Sequence, residues 1–227
     1  MRLRLPAERP VEPPAGYKIA HALLARDGTR AGFTGVSLGG ALPYGVLDEA
    51  ACVYGRGHRA PARRCDCGFH CLHDRTAAEA LLCTAEHRTA LLLDITVLGA
   101  YLRFERGFRY ARQRVRTATV GPCACGAAAV ALADAGWGRP GWLGLAPACA
   151  GCAGGRTAVP LAVFARLAGE GLKVAAATPA VVPPGSPDTF GVPELVAEAA
   201  LLQARLDSFQ TRLARLGDPG AGDTGRG

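Results

Sequence analysis

Residues Cys52 to His73 read CVYGRGHRAPARRCDCGFHCLH and place four cysteines and three histidines in 22 positions. So dense a set of thiols and imidazoles points to a metal site. Cys65-Asp66-Cys67 is a Cys-x-Cys pair whose thiolates converge on one ion if the backbone turns at Gly68. Cys52 and His58 supply a second arm. The loop between the arms carries Pro61 and the cations Arg63 and Arg64, which favour deprotonated thiols. Together Cys52, His58, Cys65 and Cys67 make a Cys3His set suited to tetrahedral zinc. His70, Cys71 and His73 follow at once and are the alternatives that would replace a ligand or begin another site. Cysteines that are merely buried are the competing reading, but three of them with a histidine in 16 residues argue against it.

The composition sets the frame for this site. The chain has 227 residues, 49% hydrophobic, enough for one sizeable core or two small ones. Lysine and arginine total 26 against 19 acids, a net charge of +7 that mildly favours an anionic partner such as nucleic acid. No apolar run is long enough to span a bilayer, and the N-terminus MRLRLPAERP lacks the apolar core of a signal peptide. A cytoplasmic location is therefore expected, where nine cysteines mean metal rather than disulfides.

The order Ala51-Cys52, His58 to Pro61 and Cys65 to Phe69, followed by Gly107-Phe108-Arg109, resembles a group of small actinobacterial proteins of unassigned function. They share an Ala-Cys, a His-x-Ala-Pro and a Cys-x-Cys-Gly-apolar segment, then a β-hairpin around Gly-aromatic-Arg. The resemblance covers roughly residues 16 to 115 and departs at His70 and Cys71. It implies that Cys52, His58, Cys65 and Cys67 belong together, and it implies no activity.

Upstream of the cluster, residues 1–15 carry four prolines and read as a flexible arm. GYKIAHALLARDGTR, from Gly16, reads as a strand and turn, with Tyr17, Ile19 and Leu23 as core candidates and His21 as a structural histidine. Gly32 to Gly45 is glycine-rich, fits no nucleotide-binding pattern and reads as loop. Downstream, a short helix is expected near Thr76, with Asp74 as an alternative cap. Cys83 reads as a packed thiol and His87 as a surface residue. Ala90 to Val120 reads as two long strands turning at Glu105-Arg106-Gly107. The second strand puts Arg112, Arg114 and Arg116 on one face. Such a row can track phosphates, although it is more commonly a solvated face, and Asp94 is a candidate ion-pair partner for it.

Cys123-Ala-Cys125 and Cys149-Ala-Gly-Cys152 are two close pairs separated by 23 residues, the spacing of a four-cysteine zinc ribbon. Trp137 and Trp142 lie between them as core residues or a stacking platform. A redox role for Cys149 and Cys152 lacks the surrounding thioredoxin-like pattern. Ala158 to Leu172 reads as a helix and Leu172 onward as a strand. Residues 181–192 read as a linker and 217–227 as a disordered tail. From 193 to 216 a helix is expected, with Leu195, Ala199, Leu202, Leu206, Phe209, Leu213 and Leu216 forming a heptad seam.

The expected architecture is α+β: a small mixed body with a long β-hairpin, two zinc-stapled modules at 16–120 and 121–180, the second a zinc ribbon, and a C-terminal helix. Two zinc ions per chain are expected, held by Cys52, His58, Cys65, Cys67 and by Cys123, Cys125, Cys149, Cys152. Closed sites of this kind are structural, so the leading expectation is a non-catalytic interaction module. Its partner would be nucleic acid, through the arginine row, or a protein or second copy, through the last helix. The alternative is a zinc-dependent hydrolase or transferase with an open site among Cys52 to His73. No HExxH, deaminase, GxSxG or phosphate-loop pattern supports it.

Overall fold

Two long strands of one hairpin carry the architecture, seen in a computed structural model that describes residues 12–36, 42–52, 54–84 and 86–177. Strands β5 (Leu91–Phe104) and β6 (Gly107–Val120) pair antiparallel, with register shifts at Asp94/Ile95 and Leu98/Tyr101. β-branched and aromatic residues fill both strands, which suits a pleated surface packed on one side. The turn falls at Glu105-Arg106, as the sequence implies.

The remaining strands are β1 (Ala15–Ala25), β2 (Ala31–Gly35), β3 (Leu47–Glu49), β4 (Phe69–Leu72), β7 (Ala131–Arg139), β8 (Trp142–Ala148), β9 (Ala158–Pro160) and β10 (Lys173–Ala176). Three short helices complete the described residues: α1 (Arg75–Leu82), α2 (Ala150–Ala153) and α3 (Leu161–Ala168). The α+β expectation is therefore corrected. The chain is mostly β, a single ten-stranded sheet, antiparallel throughout except where β10 lies parallel to β6. The reason is non-local pairing. Strand β8 joins β1 (Leu24 against Leu143) and β10 joins β6, so strands on both sides of residue 120 belong to one sheet. The expected linker, heptad helix and tail lie outside the described residues, as does most of the expected N-terminal arm.

Strand β1 is the hub. It pairs with β5 along Ala15–Ala20, with β2 along Ala20–Leu24, with β8 along Ala22–Ala25, and with β4 at Tyr17. Strand β6 is the spine. One edge takes β5, and the other takes β4, β3 and β10 in succession. The pairings β1 to β5, β5 to β6, β6 to β4 and β4 back to β1 close a ring. The main core draws on these strands and on β2, β7 and α3, with Phe33, Tyr110, Leu91, Leu93, Ile95, Leu132 and Phe164 essentially inaccessible. Backbones approach closely where β4 meets β6: a Cβ on Gly107 would lie 1.8 Å from the Cys71 carbonyl oxygen.

The shorter expectations fare unevenly. Ala31–Gly35 is strand rather than loop. Helix α1 is capped by Asp74, whose carboxylate accepts from the Thr76 and Ala77 amides. Asp94 pairs with Arg75 of α1 at 3.4 Å instead of with the arginine row. His21 stacks edge-on against Trp137 at 5.2 Å, a packing role away from either cysteine cluster. Cys83 is exposed, not packed.

Candidate metal centres

The connection from β3 to β4 builds the first centre because both of its ends are fastened to β6. Strand β3 lies against Arg112–Arg114, the Ala50 amide donates to the Ala111 carbonyl at 2.7 Å, and β4 lies against Gly107–Tyr110. The chain between them folds back so that ligand atoms of Cys52, His58, Cys65 and Cys67 all lie within 4.8 Å of one another. Cys52 Sγ and Cys65 Sγ are 3.9 Å apart, and His58 Nε2 is 3.2 Å from Cys67 Sγ. Cys65 and Cys67 are buried with Ala60, and Ala50, Cys52 and Ala62 pack around them. Gly68 makes the required turn at φ 127°, where a side chain would also press on Arg109 Cγ at 3.0 Å.

Arg109, on β6, holds this loop from below. Its guanidinium donates to the Cys65 carbonyl, to the Ala62 carbonyl at 3.1 Å and to Asp66 Oδ1 at 3.2 Å, and it rests over the Phe104 ring. The Arg56 and Tyr54 amides point at the Cys52 sulfur and hold its thiol below the ordinary range. Burial raises the Cys67 thiol instead.

The second centre joins the β6–β7 and β8–β9 connections. Cys123, Cys125, Cys149 and Cys152 also bring their sulfurs within 4.8 Å of one another, with Cys125 and Cys149 at 3.6 Å. A tight turn, in which the Gly126 amide donates to the Cys123 carbonyl at 2.8 Å, presents the first pair. Cys149 opens α2 and Cys152 lies within it. Amides of Cys125 and Cys149 hydrogen-bond to Cys123 and lower its thiol to about 6. Cys152, crowded by the Cys123 and Cys149 sulfurs, is pushed up to about 12. Here too an arginine braces a ligand's backbone. Arg156 donates to the Cys152 carbonyl at 3.0 Å and the Asp134 carbonyl at 3.1 Å.

These separations carry chemical information. A disulfide would put sulfurs about 2.05 Å apart, and all nine cysteines are free thiols. A zinc–thiolate bond of about 2.3 Å sets the sulfurs of one tetrahedral site roughly 3.8 Å apart. The measured 3.9 and 3.6 Å bracket that value. Each cluster can hold a metal ion.

The three alternatives near the first centre are placed elsewhere. Cys71 lies on β4 with its side chain in the core, where burial raises its thiol to about 11. His73 stacks edge-on against Phe108 at 4.4 Å, and its Nε2 lies 3.0 Å from the Phe104 carbonyl. His70 is also on β4, opposite Arg109. The sequence run that looked uniformly ligand-like is thus half metal loop and half strand. Arg112 and Arg116 are exposed on β6 with Arg114 half-buried between them, and Arg116 donates to Thr96 Oγ1 at 3.0 Å.

Lys18 is not singled out by the sequence, and Arg109 enters there only through the Gly107-Phe108-Arg109 segment, with no role attached to it. Arg109 is indistinguishable by spacing from its neighbours. Lys18 had a usable signal: within β1 it falls in phase with Ala20, Ala22 and Leu24, all core residues. No candidate membrane-crossing helix occurs among the described residues. Comparison with protein-family models, curated proteins and solved structures finds no match to this chain.

Proposed function

We propose that this chain is a zinc protein with two closed, structural sites, and that it works by binding rather than by catalysis. The observation that carries the reading is the convergence of two complete four-ligand sets, each within 4.8 Å. Four protein donors saturate a tetrahedral ion, leaving no position for a reacting water. A catalytic site drawing on His70 or His73 finds no support, because both belong to or adjoin strand β4 and contact other groups. Arg112 and Arg116 offer an outward cationic pair suited to a nucleic-acid backbone.

Elemental analysis of the purified full chain should return two zinc ions, and cobalt substitution should give two thiolate-rich tetrahedral spectra unmoved by added azide. Zero ions in folded protein, or a spectrum that shifts with azide, would overturn the closed-site reading. For the binding surface, an Arg112→Gln, Arg116→Gln double variant is expected to lower the slope of log affinity for a DNA duplex against log salt by about two. An unchanged slope removes this face as the contact.

A further inference from the structure

Beside the first centre, and not part of it, opens a cleft of about 840 Å³. That is within the range of about 300–1,000 Å³ usual for small-molecule sites. Its wall includes the Asp66–Gly68 turn of the metal loop, strand β4 and the first half of β1. Exposed apolar side chains collect around it. Leu42, Tyr54, Leu81 and Phe104 are each more than 40% exposed, and all four line the cleft. Elsewhere among the described residues only Leu47 and Val130 are large apolar residues so exposed. A monomer gains nothing by gathering such groups at one concavity unless something apolar is received there.

The cleft wall carries the ionisable side chains Lys18, Asp48, Glu49, Asp66, His70 and Arg106, and among them Lys18 lies against its aromatic faces. Its ammonium lies 4.7 Å from the Tyr44 ring centroid and 5.0 Å from that of Phe69. Its hydrogen-bond partner is Gln113 Oε1, at 3.5 Å, an oxygen that already accepts from the Tyr110 hydroxyl at 2.8 Å. No carboxylate among the described residues pairs with Lys18. Of the three lining acids, Asp48 has its oxygens engaged by the Gly45 and Glu49 amides, Asp66 pairs with Arg109, and Glu49 is exposed at the rim. The Tyr44 hydroxyl, also at the cleft, makes no hydrogen bond. Burial lowers the lysine to about 8, so it remains protonated at neutral pH. The side chain keeps partial exposure, and Lys18 is a lining residue. A desolvated cation without a counter-ion is costly, and two aromatic faces compensate only in part.

We propose that the cleft binds a small organic acid, a carboxylate carried on an extended apolar body, with Lys18 taking the carboxylate and the apolar rim taking the body. Gln113, behind the lysine, fixes the ammonium without neutralising it. The inference goes beyond the metal reading and does not depend on which ion the cysteines hold.

The test is calorimetric titration of the full, metal-loaded chain with octanoate and, in parallel, with 1-octanol. Octanoate is expected to saturate at one per chain and to bind at least tenfold more tightly than octanol. Lys18→Met is expected to abolish that preference while still binding octanol. The proposal is overturned if octanoate does not saturate, if the unaltered protein binds octanol as tightly, or if Lys18→Met leaves octanoate affinity unchanged. Should that variant fail to fold, the octanoate-to-octanol ratio of the unaltered protein decides alone. Zinc content of the same preparation is measured separately, so loss of the metal reading and loss of this one are distinguishable.

Discussion

Cys67→Ser is expected to cost the protein one of two bound ions and to melt the β3–β4 connection while much of the sheet persists. Cys67 is 2% exposed, and its sulfur lies close to ligand atoms of His58, Cys52 and Cys65. A serine hydroxyl is a poor ligand for zinc at neutral pH, and the remaining three donors would hold the ion far less tightly. What is left to order the loop is the hydrogen bonding of Arg109 and a small apolar cluster, Ala50, Ala60 and Ala62 with Cys52 and Cys65. That is too little apolar surface to offset the entropy of fixing so many residues at about 1–2 kcal/mol each. A bound ion would therefore stabilise the loop by several kcal/mol, out of the roughly 10–16 kcal/mol that structural zinc sites can deliver. Trypsin is the direct check, because Arg56, Arg59, Arg63 and Arg64 all lie in the connection. The variant should be cut there quickly and lose one zinc by elemental analysis. Cys83→Ser, at an exposed thiol on the end of α1, should match the parent in both respects. Retention of two ions by Cys67→Ser would remove this residue from the ligand set.

Arg109→Met should approach the same outcome without touching a ligand. The side chain is 7% exposed and donates to the carbonyls of Cys65 and Ala62. Methionine fills similar volume but leaves both carbonyls without their donor, at about 1–3 kcal/mol for each one that stays buried. Groups that orient a metal's ligands typically change affinity by about 10–100-fold when removed, and a cobalt titration should register a loss of that size at one of two sites. Arg109→Lys should recover only part of it, since an ammonium cannot fork across two carbonyls and an aspartate. Asp66→Asn should do little, because the carboxylate end of that ion pair is 92% exposed. If Arg109→Met binds two cobalt ions with parental affinity, the loop is held by its metal alone.

The readable parts of this sequence are those whose physics is local. Branched and aromatic runs around Glu105-Arg106-Gly107 announce the β5–β6 hairpin, and Asp74 ahead of an alanine-rich turn announces α1. Cysteine spacing selects the two sets of residues that the fold brings together, because short ligand arms must close on one centre whatever the scaffold. The unreadable parts depend on distant partners. Strand β4 hides inside the cysteine–histidine run, and only its register against β6 turns Cys71 into the core and away from the ion. Residues 131–148, where the sequence marks only Trp137 and Trp142 between the cysteine pairs, form a hairpin whose second strand pairs with β1. Asp94 finds Arg75 through the packing of α1, which no pattern within the strand encodes.

The long reach of β1 bears on how the protein is made. Leu24 waits for Leu143, a partner about 120 residues later in the chain. Pairings so distant in sequence form slowly, and an unpaired hydrophobic strand edge invites association in the meantime. The two centres fall on opposite sides of that delay. All four ligands of the first are synthesised by Cys67, about 40 residues before Arg109 is added to brace them. The second cannot assemble until Cys152 follows the completed β8. Metal supply during translation would thus act twice, early on a loop whose scaffold is unfinished and late on a sheet that still lacks β9 and β10. A cell short of zinc should accumulate this chain as nascent aggregates before it accumulates any half-loaded folded form.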